Sequence, residues 1–411
     1  MLSAFALVLC AGAFAQGPAP EKGPAPKNET HFKWYGFIRN YFTYDSRESS
    51  AGTEDFFYNM PKDESPNAAG EDLNAVSSFR FAALTSRLGV DVAGYEYDGY
   101  KIGAKIEADF YSGVSGVTGT AQMRLRQAYV SLAKEGRSWK IGQAWHPMAA
   151  DLPDIFSLES GSPFGPFSRT PQVNFENKLS KTVSLTAAAI WQMQYCSVGP
   201  SGASANYMKY GCLPELYLGL NFKGEGSLFR VGADVVSIKP SGSAQTKDRL
   251  TTVNVFEYGQ VKSGDWTFKE KVTYANDGSH MKMVGGYGVS GTDADGNPEY
   301  SASRNISGWA TAQYKPKGSR WVPSILVGYV KNLGTPEAIV GDFWCNNSAS
   351  TVAQMYRIQP EVLYNLGKVA FGLEYMLSSV QYGIAGNHGM AETNLHWVSN
   401  NRVQMMVKYT F

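Results

Sequence analysis

The chain ends RVQMMVKYTF, and every second residue of that stretch is apolar: Val403, Met405, Val407, Tyr409 and Phe411. Arg402, Gln404, Met406, Lys408 and Thr410 fall between them. A period of two marks a strand with one apolar face. Over 101–110, Ile102, Ala104, Ile106, Ala108 and Phe110 share one face, while Lys101, Lys105, Glu107 and Asp109 share the other. Over 183–195, Val183, Leu185, Ala187, Ala189, Trp191, Met193 and Tyr195 oppose Ser184, Thr186, Gln192 and Gln194. The stretches 215–222 and 371–378 alternate in the same way. Residues 123–132 change phase between Arg126 and Ala128, which predicts a bulge. Alternation is weakest over 251–262 and 305–314.

The connections between these segments alternate in length. Short ones with turn chemistry lie near 95–99, 134–138, 177–181, 223–227, 263–265, 315–319 and 366–368. Long ones cover about 46–77, 112–122, 146–170, 196–212, 240–250, 277–304, 333–354 and 380–395. Seven short and eight long connections separate sixteen strands. The pattern predicts an all-β, closed antiparallel transmembrane barrel, with short periplasmic turns, long extracellular loops and both termini periplasmic. A soluble sandwich also alternates but has no need of alternate short turns, and no repeat of blade length supports a propeller. In a barrel the charged faces look inward, because a charge facing lipid costs ~2–4 kcal/mol near the midplane. Tyr195, Phe222, Trp266 and Tyr409, near strand ends, are expected in the interfacial aromatic girdles.

Composition agrees with this reading. Charged residues make up 18% of the chain, below the ~25% of soluble domains. Lys plus Arg is 37 and Asp plus Glu is 36, which removes a global case for nucleic acid as a partner. Residues 1–15 read as a signal peptide, an apolar run closing on the small-x-small pattern Ala13-Phe14-Ala15. Residues 16–30 read as a Pro-rich disordered tether, and 31–411 as the barrel. The terminal Phe411, with Tyr409, resembles the signal by which outer-membrane proteins are handed to the barrel-assembly machinery. The expected surroundings are outer-membrane lipid and lipopolysaccharide. Cys196 and Cys212 bracket one loop and are a candidate disulfide, two free thiols being the alternative; Cys345 is left over.

Several stretches, in order, resemble the DcaP-like outer-membrane porins of the trimeric sixteen-stranded porin superfamily. They are YGFIRNYFTYDSR at 35–47, SRLGVDV at 86–92, KIEADFYSG at 105–113, MRLRQAYVSL at 123–132, WKIGQAWHPM at 139–148 and SRTPQVNFE at 168–176. The resemblance is most specific over 35–176. It implies a homotrimeric channel for small, often anionic solutes. Where family members carry a coiled-coil N-terminal extension, residues 16–29 here are Pro-rich and lack heptads.

The loop at about 146–170 has the make-up of a constriction loop folded into the lumen: the acids Asp151, Asp154 and Glu159, packing residues Phe156, Leu158 and Phe164, and Gly/Pro punctuation. Basic residues fall on inward faces: Lys105, Arg124, Arg126, Arg169, Lys269, Lys271, Arg357 and Arg402. Arg124 and Arg126 are expected to line one wall, opposite the loop acids, setting a transverse field that favours anions such as carboxylates or phosphate. The competing fate of each arginine is a structural pair with an inward carboxylate such as Glu107, Asp109, Glu361 or Glu374. No catalytic motif appears. The five histidines, 31, 146, 280, 388 and 396, show no metal-ligand spacing, so neither a metal, a cofactor nor an enzyme is expected. The expected function is passive diffusion of small hydrophilic solutes; the rival is a non-conducting barrel serving as an adhesin or surface-interaction protein.

Overall fold

The structure, a computed structural model, describes residues 29–52, 57–111 and 121–411. The signal segment and nearly all of the tether lie outside the described residues, as does most of the loop at 112–122.

The main sheet holds 17 strand segments. Two of them, Ser78–Ala82 and Arg87–Tyr97, pair one after the other with the same first strand and form one interrupted stave. The barrel therefore has sixteen staves among the described residues. In chain order they are β1 (His31–Asp45), β2 (the interrupted stave), β3 (Tyr100–Phe110), β4 (Met123–Lys134), β5 (Arg137–Trp145), β6 (Arg169–Lys178), β7 (Val183–Ile190) and β8 (Glu215–Gly224). They continue as β9 (Ser227–Ile238), β10 (Leu250–Ser263), β11 (Trp266–Asn276), β12 (Arg304–Tyr314), β13 (Trp321–Gly334), β14 (Val352–Leu366), β15 (Val369–Ala385) and β16 (Ala391–Thr410). β1 and β16 pair antiparallel from Phe37↔Thr410 to Asp45↔Arg402 and close the cylinder. Closure leaves no row of unpaired backbone groups facing hydrocarbon.

The faces fall as the alternation requires. Ile106, Met405 and Leu373 stand about half exposed on the outer wall, whereas Glu107, Asp109 and Arg402 are buried on the inner one. Aromatic pairs sit where strands meet the short turns: Trp266 with Tyr314 at 4.9 Å, Trp321 with Tyr364 at 4.7 Å and Trp139 with Phe175 at 4.4 Å between ring centres. Amphipathic rings at that level fit an interfacial girdle. The phase change in β4 is a bulge: Glu107 pairs with Gln127 and Ala108 with Leu125, leaving Arg126 as the extra residue.

Three expectations need correction. The long connection expected at 380–395 shrinks to 386–390, because β15 and β16 run on for 17 and 20 residues. Only ~9–11 residues cross the bilayer, and the extended ends pair in water without any need for an apolar face. Tyr195 is not in a girdle: β7 stops at Ile190 and the chain turns inward, burying Tyr195. Cys196 and Cys212 are free thiols. Cys212 caps the helix Asn206–Gly211 in the left-handed conformation and is exposed, whereas Cys196 is buried with its Sγ 3.2 Å from the Met193 carbonyl, so the two thiols sit in different environments.

Two loops enter the barrel. Residues 57–60 of the first loop are largely buried, Tyr58 and Asn59 adopting positive φ of 70° and 53°. The third loop, 146–168, packs Met148 and Phe164 against inward Phe256, Tyr258, Trp309 and Leu326 of β10, β12 and β13. Those apolar lumen residues are why 251–262 and 305–314 alternate so poorly.

Candidate functional site

The third loop leans against the β9–β15 side of the lumen and leaves space along β1–β4. Two wall glycines, one on β13 and one on β15, permit the close approach. A Cβ on Gly328 would stand 2.5 Å from the Phe164 ring, and one on Gly372 would stand 2.7 Å from the Phe156 ring. Lysine and arginine side chains hold the loop backbone. Lys271 Nζ donates to the Met148 and Asp151 carbonyls at 2.8 and 2.7 Å, and Arg357 donates to the Ser162 carbonyl at 3.2 Å.

The loop acids take part in this anchoring rather than facing Arg124 and Arg126. Asp151 pairs with Arg230 of β9 at 3.2 Å, Asp154 with Lys269 of β11 at 2.5 Å, and buried Glu159 lies 3.7 Å from Arg357 of β14. The expected transverse pairing of acid loop against basic wall is thus replaced. A loop carboxylate gains more from an inward cation on the wall it rests against than from one across water. Ser157 and Phe156 bond to Glu374 and Glu361 on the same side, at 2.5 and 3.0 Å.

What the passage meets on its β1–β4 side is a packed guanidinium wall. Arg124 binds Asp109 with two bonds, 3.0 and 2.9 Å. Arg126 bridges Glu107 at 2.7 Å and Asp109 at 2.8 Å. Arg87 lies 3.8 Å from Glu107, with its Nε unpartnered among the described residues, and Arg39 donates to the Thr85 hydroxyl at 2.6 and 3.1 Å. Lys105, further toward the short turns, pairs with Asp91 at 2.8 Å. Arg169 is fully buried among the rings of Trp145, Phe167 and Tyr195 and donates to the Tyr195 hydroxyl at 2.7 Å. It buttresses the wall from behind.

A cavity of about 300 Å³ lies between this wall and the loop, whose facing side is uncharged: Leu152, Ile155, Phe156, Ser157, Leu158 and Ser160. Gln127 and Trp145 also line a second cavity of about 400 Å³ that reaches the short-turn end. Its charged lining is Lys140, Lys178, Lys181, Lys223 and Arg230 against Glu176. Arg39, Arg87 and these lysines were missed in the sequence. Arg39 and Lys140 do lie on inward faces of alternating strands, but nothing in a single strand tells which inward cation borders water.

One buried group was not foreseen at all. His146 Nε2 contacts Glu215 Oε1 and lies 3.8 Å from Asp234 Oδ2, while His280 Nε2 is 3.6 Å from Glu215 Oε2. Burial disfavours the His280 imidazolium, but Glu215, with Asp234 and Asp277, outweighs it and raises that group to about 9. The four residues are spread over positions 146 to 280 with no local spacing that links them, so only the closed barrel assembles them.

A closed sixteen-stranded barrel with short turns at one end, long loops at the other and an inward third loop is the architecture of the outer-membrane porins. Residues 17–166 match the DcaP outer membrane protein family, in line with the resemblance read in the sequence up to the third loop. The fold is similar to the outer membrane channel DcaP of Acinetobacter baumannii, at 20% identity over 93% of this chain and 97% of that one, with a TM-score of 0.67. It is also similar to the trimer form of OmpT from Vibrio cholerae, at 13% identity over 93% and 100% with a TM-score of 0.54. An anion-selective porin from Comamonas acidovorans aligns at 11% identity over 93% and 100%, with a TM-score of 0.55. No curated protein matches the chain in sequence. The family match and the fold together liken the chain to bacterial outer-membrane barrels of porin architecture.

Proposed function

We propose that this chain is a passive diffusion channel for small hydrophilic solutes with a preference for anions. The observation that carries the reading is the charge of the passage. Among the described residues, Arg39, Arg87, Arg124 and Arg126 stand against Glu107 and Asp109, and the residues of the third loop that line the cavity are uncharged. The second cavity continues the same sign toward the short turns. In a narrow lumen such charges are screened less than on an open surface, so they favour anions without a binding pocket. Loop 146–168 acts as the constriction, and the protein performs no catalysis. Residues 1–15 direct export, 16–30 tether the barrel, and Tyr409 and Phe411 serve recognition by the assembly machinery. The barrel works as a homotrimer in lipid and lipopolysaccharide, a state in keeping with the trimer form of the OmpT relative.

Proteoliposome swelling tests the reading. Sugars and small organic anions of equal size should both enter, the anions at least about twice as fast. Equal exclusion of both would favour a plugged, surface-displaying barrel instead.

A further inference from the structure

We propose that His146, Glu215 and Asp234 form a site for one divalent transition-metal ion of the zinc class, which pins the root of the third loop to the barrel wall. The imidazole stands immediately before Pro147, where the loop leaves β5, and the two carboxylates come from β8 and β9. One ligand atom from each lies within 4.8 Å of the other two. Ligands of one tetrahedral zinc, at ~2.0–2.1 Å from the ion, stand roughly 3.3 Å apart. The three atoms thus need only a small side-chain adjustment to share an ion.

A second observation is independent of that spacing. Glu215 Oε2, Asp234 Oδ2 and both ring nitrogens of His280 are buried without a hydrogen-bond partner among the described residues. Interiors leave few polar atoms unsatisfied, and here several converge on one spot. The separations of 3.8 Å from His146 Nε2 to Asp234 Oδ2 and 3.6 Å from His280 Nε2 to Glu215 Oε2 are too long for hydrogen bonds. They suit groups that share an ion. Glu215 and Asp234 are fully buried, and a dication neutralises both carboxylates at once, the condition under which buried charge is tolerated.

The surrounding side chains have defined parts. Asn254 Nδ2 donates to Asp234 Oδ1 at 2.7 Å and leaves Oδ2 turned to the ion. His280 borders the site, with its Nε2 3.6 Å from Glu215 Oε2. His146 accepts from the Met148 amide at Nδ1, a long 3.2 Å bond. Binding through Nε2 moves the ring proton to Nδ1, so that contact is exchanged for the metal bond.

The test uses the full mature chain without a histidine tag, folded in detergent and stripped with a chelator. Calorimetric titration with zinc chloride should give one ion per chain, with affinity at least about 100-fold weaker in Asp234→Asn and in His146→Gln. Folding of each variant is checked by heat-modifiable migration. Should a variant fail to fold, cobalt(II) added to the wild-type protein decides, since a four-coordinate site gives an intense visible absorption that an exposed, water-ligated ion lacks. Absence of one-to-one zinc binding, unchanged affinity in folded variants, or only the weak six-coordinate cobalt spectrum overturns the proposal. In that case the cluster is held by protons alone. None of these readouts depends on conduction, so the channel reading stands or falls separately.

Discussion

Arg126 occupies the extra residue of the β4 bulge, and this lets both it and Gln127 reach Glu107, at 2.7 and 3.4 Å. Its guanidinium is also tied to Asp109, so it stabilises the wall as much as it charges the passage. Arg126→Glu would bring a third carboxylate against two buried ones. The penalty for breaking such a buried network is about 3–5 kcal/mol, and the expected outcome is loss of the heat-modifiable folded band rather than reversed selectivity. Arg87 is looser, and Arg87→Gln should fold. One charge in a water-filled passage is worth ~0.5–1 kcal/mol, so the anion-to-cation permeability ratio should fall about two- to fivefold. The bulge, Arg124 and Arg126 were legible in the sequence, whereas Arg87 was not. Their carboxylate partners were legible only as alternatives, because a lumen face tells which residues look inward and not which of them meet.

The third loop is the element where sequence and structure part most. Its length and its mixture of acids, aromatics and Gly/Pro marked it as a loop that folds inward, but its acids turned to the wall behind it. The cue lay in β10 and β12, whose inner faces carry Phe256, Tyr258 and Trp309 where a water-filled barrel would be polar. That apolar lumen stripe marks the side on which the loop rests. The glycines facing Phe164 and Phe156 are part of the same fit. Gly328→Ala combined with Gly372→Ala should therefore push the loop off its seat at a cost of about 1–3 kcal/mol, as for other overpacked contacts. Thermal unfolding in detergent should shift down, and single-channel conductance should rise and become noisier. Unchanged conductance with lowered stability would mean the loop is not what narrows the passage.

For the whole molecule, alternation and connection length were sufficient to set sixteen staves, their faces and the short-turn end, because lipid forbids open edges and outward charge. The buried His146–Glu215–Asp234 group was beyond reach, since it joins a loop root to two staves distant in sequence. The same limit hid the lysines of the second cavity, which border water only after closure. The central claim is a conducting pore whose cation-rich lumen selects anions. It is tested most directly by the zero-current potential of the purified protein in a planar bilayer under a salt gradient. Stepwise conductance should appear, with a potential whose sign reports anions as the more permeant species and whose size shrinks in Arg87→Gln. A potential of the opposite sign, or a folded protein that inserts without conducting, would contradict the account.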